Sequence, residues 1–148
     1  MVHVSALQVT FAAFGILMMT MLFGNFVARN WKPELELRYG WVIYAMGIPG
    51  LVLAGLYLLA EGMSVFFPAA SLVFTAWALF GFVVDRVAKV QWRRPTVPQI
   101  FVPYVTLYVA WQVLYWIPMW SIGRVYWVVY TLLFSAATCL NLRAHLKR

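Results

Sequence analysis

The sequence predicts an all-α integral membrane protein: a bundle of five transmembrane helices, with the N-terminus outside and the C-terminus in the cytoplasm. Hydrophobic residues make up 65% of the chain and charged residues only 10%, too few charges to cover the surface of a soluble domain. Five stretches approach the length of about 20 apolar residues that a span requires. Basic residues are also concentrated in alternate connecting segments, and therefore on one of the two faces that these spans define. We expect one transmembrane domain over residues 1–148.

The predicted spans are residues 4–28, 41–60, 66–85, 100–120 and 125–142. The first has no basic leader and no small-residue cleavage site, so we expect a retained helix and not a cleaved signal. In the second, Pro49 predicts a kink, while Gly50 and Ala54 form a small-xxx-small pair that allows close helix approach. The kink either serves helix packing alone or opens space for a ligand beside the bundle axis.

The count of five depends on the segment "SIGR" at residues 121–124. Without a break there, residues 100–142 would form one apolar run about twice as long as a membrane is thick. Pro118, Gly123 and Arg124 favour a tight turn at this point. We therefore predict five helices and not four.

The orientation follows from the basic residues. Ten of the eleven Lys and Arg residues lie in segments 29–38, 86–94 and 143–148, and only Arg124 lies on the other side. The positive-inside rule places those three segments in the cytoplasm, and we predict the cytoplasmic membrane of a prokaryote. Since these charges face anionic headgroups, the net charge of +7 predicts membrane lipids as partners and no nucleic acid.

The first cytoplasmic segment, "RNWKPELELRYG" (29–40), alternates charged and apolar residues. This pattern is typical of a short extended or interfacial segment. Its two acids, Glu34 and Glu36, are expected to be solvated among basic neighbours.

Of the remaining acids, Glu61 ends the second span on the predicted outer side and Asp85 ends the third on the cytoplasmic side, so they are predicted to lie about 30 Å apart. An acid and a base must both reach the reacting group, so these two cannot serve one small substrate as a pair. His3 and His145 are likewise expected on opposite faces, and the single Cys139 lies inside the fifth span. We therefore predict no metal site and no cofactor.

Aromatic residues in the fourth span are the strongest candidates for a site. Tyr104, Tyr108, Trp111 and Tyr115 follow the spacing i, i+4, i+7 and i+11, which places them on one helix face, and Gln112 adds an amide. Phenol and indole groups at mid-membrane depth need polar partners, so we expect this stripe to face the bundle interior. The further residues predicted to join it are Tyr44, Tyr57, Trp127 and Tyr130.

The C-terminal segment "VYTLLFSAATCLNLRAHLKR" resembles the last helix of the TspO family, the tryptophan-rich sensory or translocator proteins. The resemblance is carried by Tyr130, Ala136, Ala137, Leu140 and Asn141. The pair Lys32–Pro33 is similar to the Lys-Pro of that family's first long loop, although the family's double proline is absent. The resemblance implies a cavity for porphyrins or sterol-like lipids, closed over by residues 29–40, with no firmly established catalytic reaction.

Three functions compete on these observations. The first is binding, sensing or transport of a planar hydrophobic ligand in an aromatic-lined cavity. The second is an intramembrane enzyme of the isomerase or cyclase type that acts on a lipid, sterol or terpenoid, with Glu61, or less favourably Asp85, as its single acid. The third is an accessory subunit that packs its aromatic face against a larger membrane complex, or against further copies of this chain.

Overall fold

The computed structural model describes residues 5–91 and 96–146, and within them every regular element is helical. The predicted basic positions Arg93, Arg94, Lys147 and Arg148, together with His3 and the side chain of His145, lie outside the described residues. The helices are α1 (Ala6–Trp31), α2 (Pro33–Tyr39), α3 (Val42–Ala45), α4 (Gly47–Leu59), α5 (Phe66–Phe82), a π-helical segment (Val83–Val87), α6 (Pro98–Ile122) and α7 (Arg124–Leu146).

Five of the described helical runs are long and apolar enough to cross a membrane, so the chain is a multi-pass membrane protein. They are Ala6–Trp31, Pro33–Leu59, Phe66–Val87, Pro98–Ile122 and Arg124–Ala144. Gly123 alone separates α6 from α7, which confirms the predicted break and the count of five.

Helix α1 begins where its sequence supplies a cap. The Ser5 hydroxyl accepts a hydrogen bond from the Gln8 backbone N–H, and the Gln8 side chain accepts one from the Ser5 N–H. This reciprocal capping box satisfies two backbone donors that the first helical turn leaves unpaired.

The second span is interrupted at Met46, between α3 and α4. Pro49 has no N–H to donate to the carbonyl four residues earlier, at Ala45, where α3 ends. Close by, the Thr75 hydroxyl of α5 shares its proton between the Ser71 carbonyl of its own helix at 2.8 Å and the Gly47 carbonyl of α4 at 3.2 Å. This hydroxyl joins α4 to α5 beside the break.

Segment 29–40 contains a helix, so its extended interpretation is wrong. Pro33 stands at the start of α2, where its missing N–H costs nothing. The Arg29 guanidinium on α1 pairs with the Glu36 carboxylate on α2, with Nε 2.7 Å from Oε1. The same residues that suggested a solvated loop therefore pair across the α1–α2 corner.

Contacts divide the described chain into two compact units, 5–43 with 115–146, and 44–114. In the first unit α1 packs on α7. Tyr115 of α6 stacks on Phe11 with ring centroids 4.5 Å apart, and Asn30 donates to the Leu140 carbonyl at 2.9 Å. The assignment of the whole chain to one domain stays a prediction.

In the second unit α4 packs on α5. Gly50 provides the close approach, because a Cβ there would lie 3.0 Å from both the Phe74 ring and the Thr75 hydroxyl. Ala54, one turn later, is fully buried. The predicted small-residue pair is thus a packing surface for α5.

Candidate aromatic site

Six aromatic residues of the second unit form one cluster, with Trp77 at its centre. The centroid of the Trp77 ring system lies between 5.6 and 5.9 Å from the centroids of the five other rings. These distances fall within the range in which tilted and edge-to-face aromatic pairs attract. The members of this Trp77 cluster are Tyr44, Phe74, Trp77, Tyr104, Tyr108 and Trp111.

The spacing of residues in α5 creates the centre of the cluster. Phe74, Trp77 and Gly81 follow the positions i, i+3 and i+7, and all three are buried. At Gly81 the missing side chain is essential, since a Cβ there would lie 2.6 Å from Cε1 of Tyr44. The Tyr44 ring can therefore lie directly against α5 and beside Trp77.

A carboxylate joins the cluster through the Tyr44 hydroxyl. That hydroxyl donates to Oδ2 of Asp85 at 2.9 Å and lies 3.3 Å from the Tyr104 hydroxyl. Asp85 belongs to the π-helical segment, a type of turn frequently found at functional sites. Two phenols and one carboxylate thus form a continuous polar chain along one edge of the rings.

The indole N–H of Trp77 is buried and has no hydrogen-bond acceptor among the residues that the structure describes. Trp77 is only 1% exposed. Leaving a buried donor unsatisfied costs about 1–3 kcal/mol, and such groups in folded proteins call for an explanation. The N–H is therefore a donor that a bound acceptor could satisfy.

The cluster has a buried floor and a half-buried rim. Phe74, Trp77 and Trp111 form the floor, each at most 1% exposed. The side chains of the rim are partly exposed phenols, those of Tyr44, Tyr104 and Tyr108.

Four of the nine predicted site residues belong to this cluster, namely Tyr44, Tyr104, Tyr108 and Trp111. Gln112 is buried beside Trp111 in the sequence of α6, and Tyr57 packs edge-on against Phe67, with ring centroids 5.9 Å apart.

The other predicted site residues belong to the first unit. Tyr115 stacks on Phe11, and Tyr130 is fully buried. Trp127 contacts Trp116 and Trp120, with ring centroids 5.4 and 5.1 Å away. The predicted stripe therefore contributes to the cores of both units.

Trp77 and Phe74 were not among the site residues predicted from the sequence. The signal was present in the third span, where Phe74, Trp77, Gly81 and Asp85 follow i, i+3, i+7 and i+11. That is the same kind of one-face spacing that selected the stripe in the fourth span.

The two candidate acids occupy different surroundings. Glu61 is exposed in the turn after α4, whereas Asp85 accepts the hydrogen bond from Tyr44. Glu61 precedes the 22-residue helical run Phe66–Val87, and Asp85 lies near the C-terminal end of that run; at about 1.5 Å per residue the run spans roughly 30 Å. Among the described residues, no group of three or more His, Cys, Asp or Glu side chains could hold a metal ion.

A separate cavity lies in the first unit among α1, α2 and α3. It has a volume of about 360 Å³ and an almost entirely apolar lining. Its lining residues are Met21, Gly24, Asn25, Ala28, Leu35, Tyr39, Gly40, Val42 and Ile43. We call it the α1–α3 groove; it contains no residue of the Trp77 cluster.

Comparison of the chain with protein-family models, with curated proteins and with solved structures gives no match.

Proposed function

We propose that this protein binds a planar hydrophobic ligand, porphyrin-like or sterol-like, at the Trp77 cluster, as a membrane-embedded receptor, sensor or carrier. The observation that carries the proposal is the buried Trp77 N–H without an acceptor. A ligand carbonyl, hydroxyl or ring nitrogen would satisfy it, while flat ring faces pack on planar ligands.

The rim of the cluster supports the same class of ligand. Tyr104 and Tyr108 are half-buried and lie on one face of α6, one helical turn apart. The hydroxyl of such a phenol would orient the polar edge of the ligand. Binding sites for small molecules commonly combine apolar walls with a few placed polar groups in this way.

We also propose which side of the membrane each terminus lies on and which membrane contains the protein. The basic segments 29–38 and 86–94 favour a cytoplasmic location for the corner that contains α2 and for the end of α5. On this topology the N-terminus is outside, the C-terminus is inside, and the membrane is the cytoplasmic membrane of a prokaryote. Membership in the TspO family belongs to the same proposal.

The test is a ligand titration of the purified protein in mild detergent, followed by the absorbance of protoporphyrin and, separately, by competition with a sterol. Trp77→Phe keeps a ring and removes the N–H. We expect it to weaken binding about five- to tenfold, the equivalent of one hydrogen bond. Trp120→Phe is the matched control, because Trp120 is 55% exposed and belongs to the first unit.

Equal dissociation constants for the wild type and for both variants would overturn the assignment of Trp77 as the donor. No saturable binding of either probe by a monodisperse wild-type protein would overturn the proposed function itself.

A second candidate function rests on Asp85. An enzyme acting on a lipid, sterol or terpenoid needs an acid beside aromatic faces that stabilise positive charge. Between the two candidate acids, Asp85 is the better placed because it lies against the cluster at Tyr44, whereas Glu61 is exposed. Unchanged turnover of such a substrate by Asp85→Asn would exclude this alternative.

A further inference from the structure

The α1–α3 groove leaves room that its own helices do not fill. Gly24 lines it, and a Cβ built on Gly24 would find no other side chain or loop atom within 4 Å. The volume of about 360 Å³ lies at the lower end of the range for small-molecule sites, roughly 300–1,000 Å³. Since Asn25 and Tyr39 supply its polar side chains, the groove suits an apolar chain with a polar end.

A second cavity, of about 450 Å³, adjoins this groove at Leu35, which lines both. Its other lining residues are Trp31, Lys32, Pro33 and Glu34. Neither Lys32 nor Glu34 makes an ion pair with any residue that the structure describes, in contrast to the nearby pair of Arg29 and Glu36. The headgroup cavity, as we call it, thus offers one positive and one negative charge.

The headgroup cavity lies where lipid headgroups are expected, at the C-terminal end of α1, a membrane-spanning helix. The α1–α3 groove extends from there along α1 as far as Met21. Trp31 is more than half exposed there, and the Arg143 guanidinium lies over its ring at 4.9 Å. Tryptophan and arginine at a helix end are typical of the membrane–water interface.

We propose that this surface is a specific site for a zwitterionic phospholipid with a primary amine, of the phosphatidylethanolamine class. One acyl chain lies in the α1–α3 groove, the phosphate pairs with Lys32, and the ammonium group donates to Glu34. Lys32 can pair with the phosphate of either lipid class, but only a headgroup with an ammonium group also places a positive charge against Glu34, so the charge pattern favours the zwitterionic lipid. The site is independent of the Trp77 cluster.

The test is native mass spectrometry of the delipidated full-length protein with phosphatidylethanolamine or phosphatidylglycerol of identical acyl chains. We expect one tightly bound lipid per protein, with phosphatidylethanolamine preferred. Gly24→Leu should lower its occupancy at least tenfold by filling the groove. Gly55→Leu is the matched control, because a Cβ on Gly55 of α4 also meets nothing within 4 Å.

If Gly24→Leu does not fold, two charge variants in the headgroup cavity test the same site. Lys32→Gln should weaken the binding of both lipids. Glu34→Gln should remove the preference for phosphatidylethanolamine and leave the binding of phosphatidylglycerol intact. Equal lipid occupancy in the Gly24 and Gly55 variants would overturn the site. A preference for phosphatidylglycerol in the wild type, or no effect of either charge variant, would overturn the headgroup assignment.

Discussion

Replacement of Gly81 by Ala tests the packing that places Tyr44 in the Trp77 cluster. The new Cβ would lie 2.6 Å from Cε1, 2.9 Å from Cζ and 3.1 Å from the hydroxyl oxygen of Tyr44. The Tyr44 ring must move, although it is held by Trp77 on one side and by Asp85 at its hydroxyl. Overpacking of this kind costs about 1–3 kcal/mol.

Gly55→Ala separates this clash from the intrinsic effect of the substitution. Both glycines lie in transmembrane helices, and either change gains up to about 1 kcal/mol of helix propensity. Of the two added Cβ atoms, only the one on Gly81 would have an atom of another side chain within 4 Å. The free energy of unfolding of the Gly81 variant should therefore fall about 1–3 kcal/mol below that of the Gly55 variant.

The assay is reversible unfolding in mixed micelles of mild detergent and dodecyl sulfate, followed by circular dichroism. A Tyr44→Ala background should remove most of the cost of Gly81→Ala, because residues in contact are not additive. Equal unfolding free energies for the Gly81 and Gly55 variants would refute the reasoning. A full cost that persists in the Tyr44→Ala background would show that another contact is responsible.

Two further predictions concern polar contacts. Tyr44→Phe and Asp85→Asn should each destabilise the protein, and a double-mutant cycle in the same unfolding assay should give a coupling of about 1.5–3 kcal/mol; additive effects would mean that the 2.9 Å contact contributes nothing. Arg29→Gln and Glu36→Gln should couple by up to about 1 kcal/mol, measured at low salt, and the coupling should shrink in 1 M salt because the partners are partly exposed. A coupling that does not change with salt would contradict this electrostatic origin.

Most of the helical architecture could be predicted from the sequence, because apolar length alone decides which segments can span a membrane. The break at Gly123 was also predictable, since an uninterrupted helix would have been too long. Helix α2 was harder to predict. Its pairing of Arg29 with Glu36 depends on the corner between two helices, and alternating charges indicate no such corner.

The candidate site was predicted in part. Periodicity selected Tyr104, Tyr108 and Trp111 on α6, but it could not identify the residue that their rings surround. Trp77 comes from another helix, and the approach of the Tyr44 ring to that helix depends on the space that Gly81 leaves. Periodicity assigns residues to a face; the partner of that face follows from packing between helices.

The π-helical segment Val83–Val87 makes the contact between Asp85 and Tyr44 sensitive to chain length. Its hydrogen bond from the Ala88 N–H to the Val83 carbonyl encloses one residue more than an α-helical turn does. Deleting Val83 would let this segment close as an ordinary α-helical turn and would move Asp85 to a different position around the helix axis. Asp85 would then leave the side of the helix that faces Tyr44. A chain with the same aromatic residues but one residue fewer here would retain the rings and lose the carboxylate beside them.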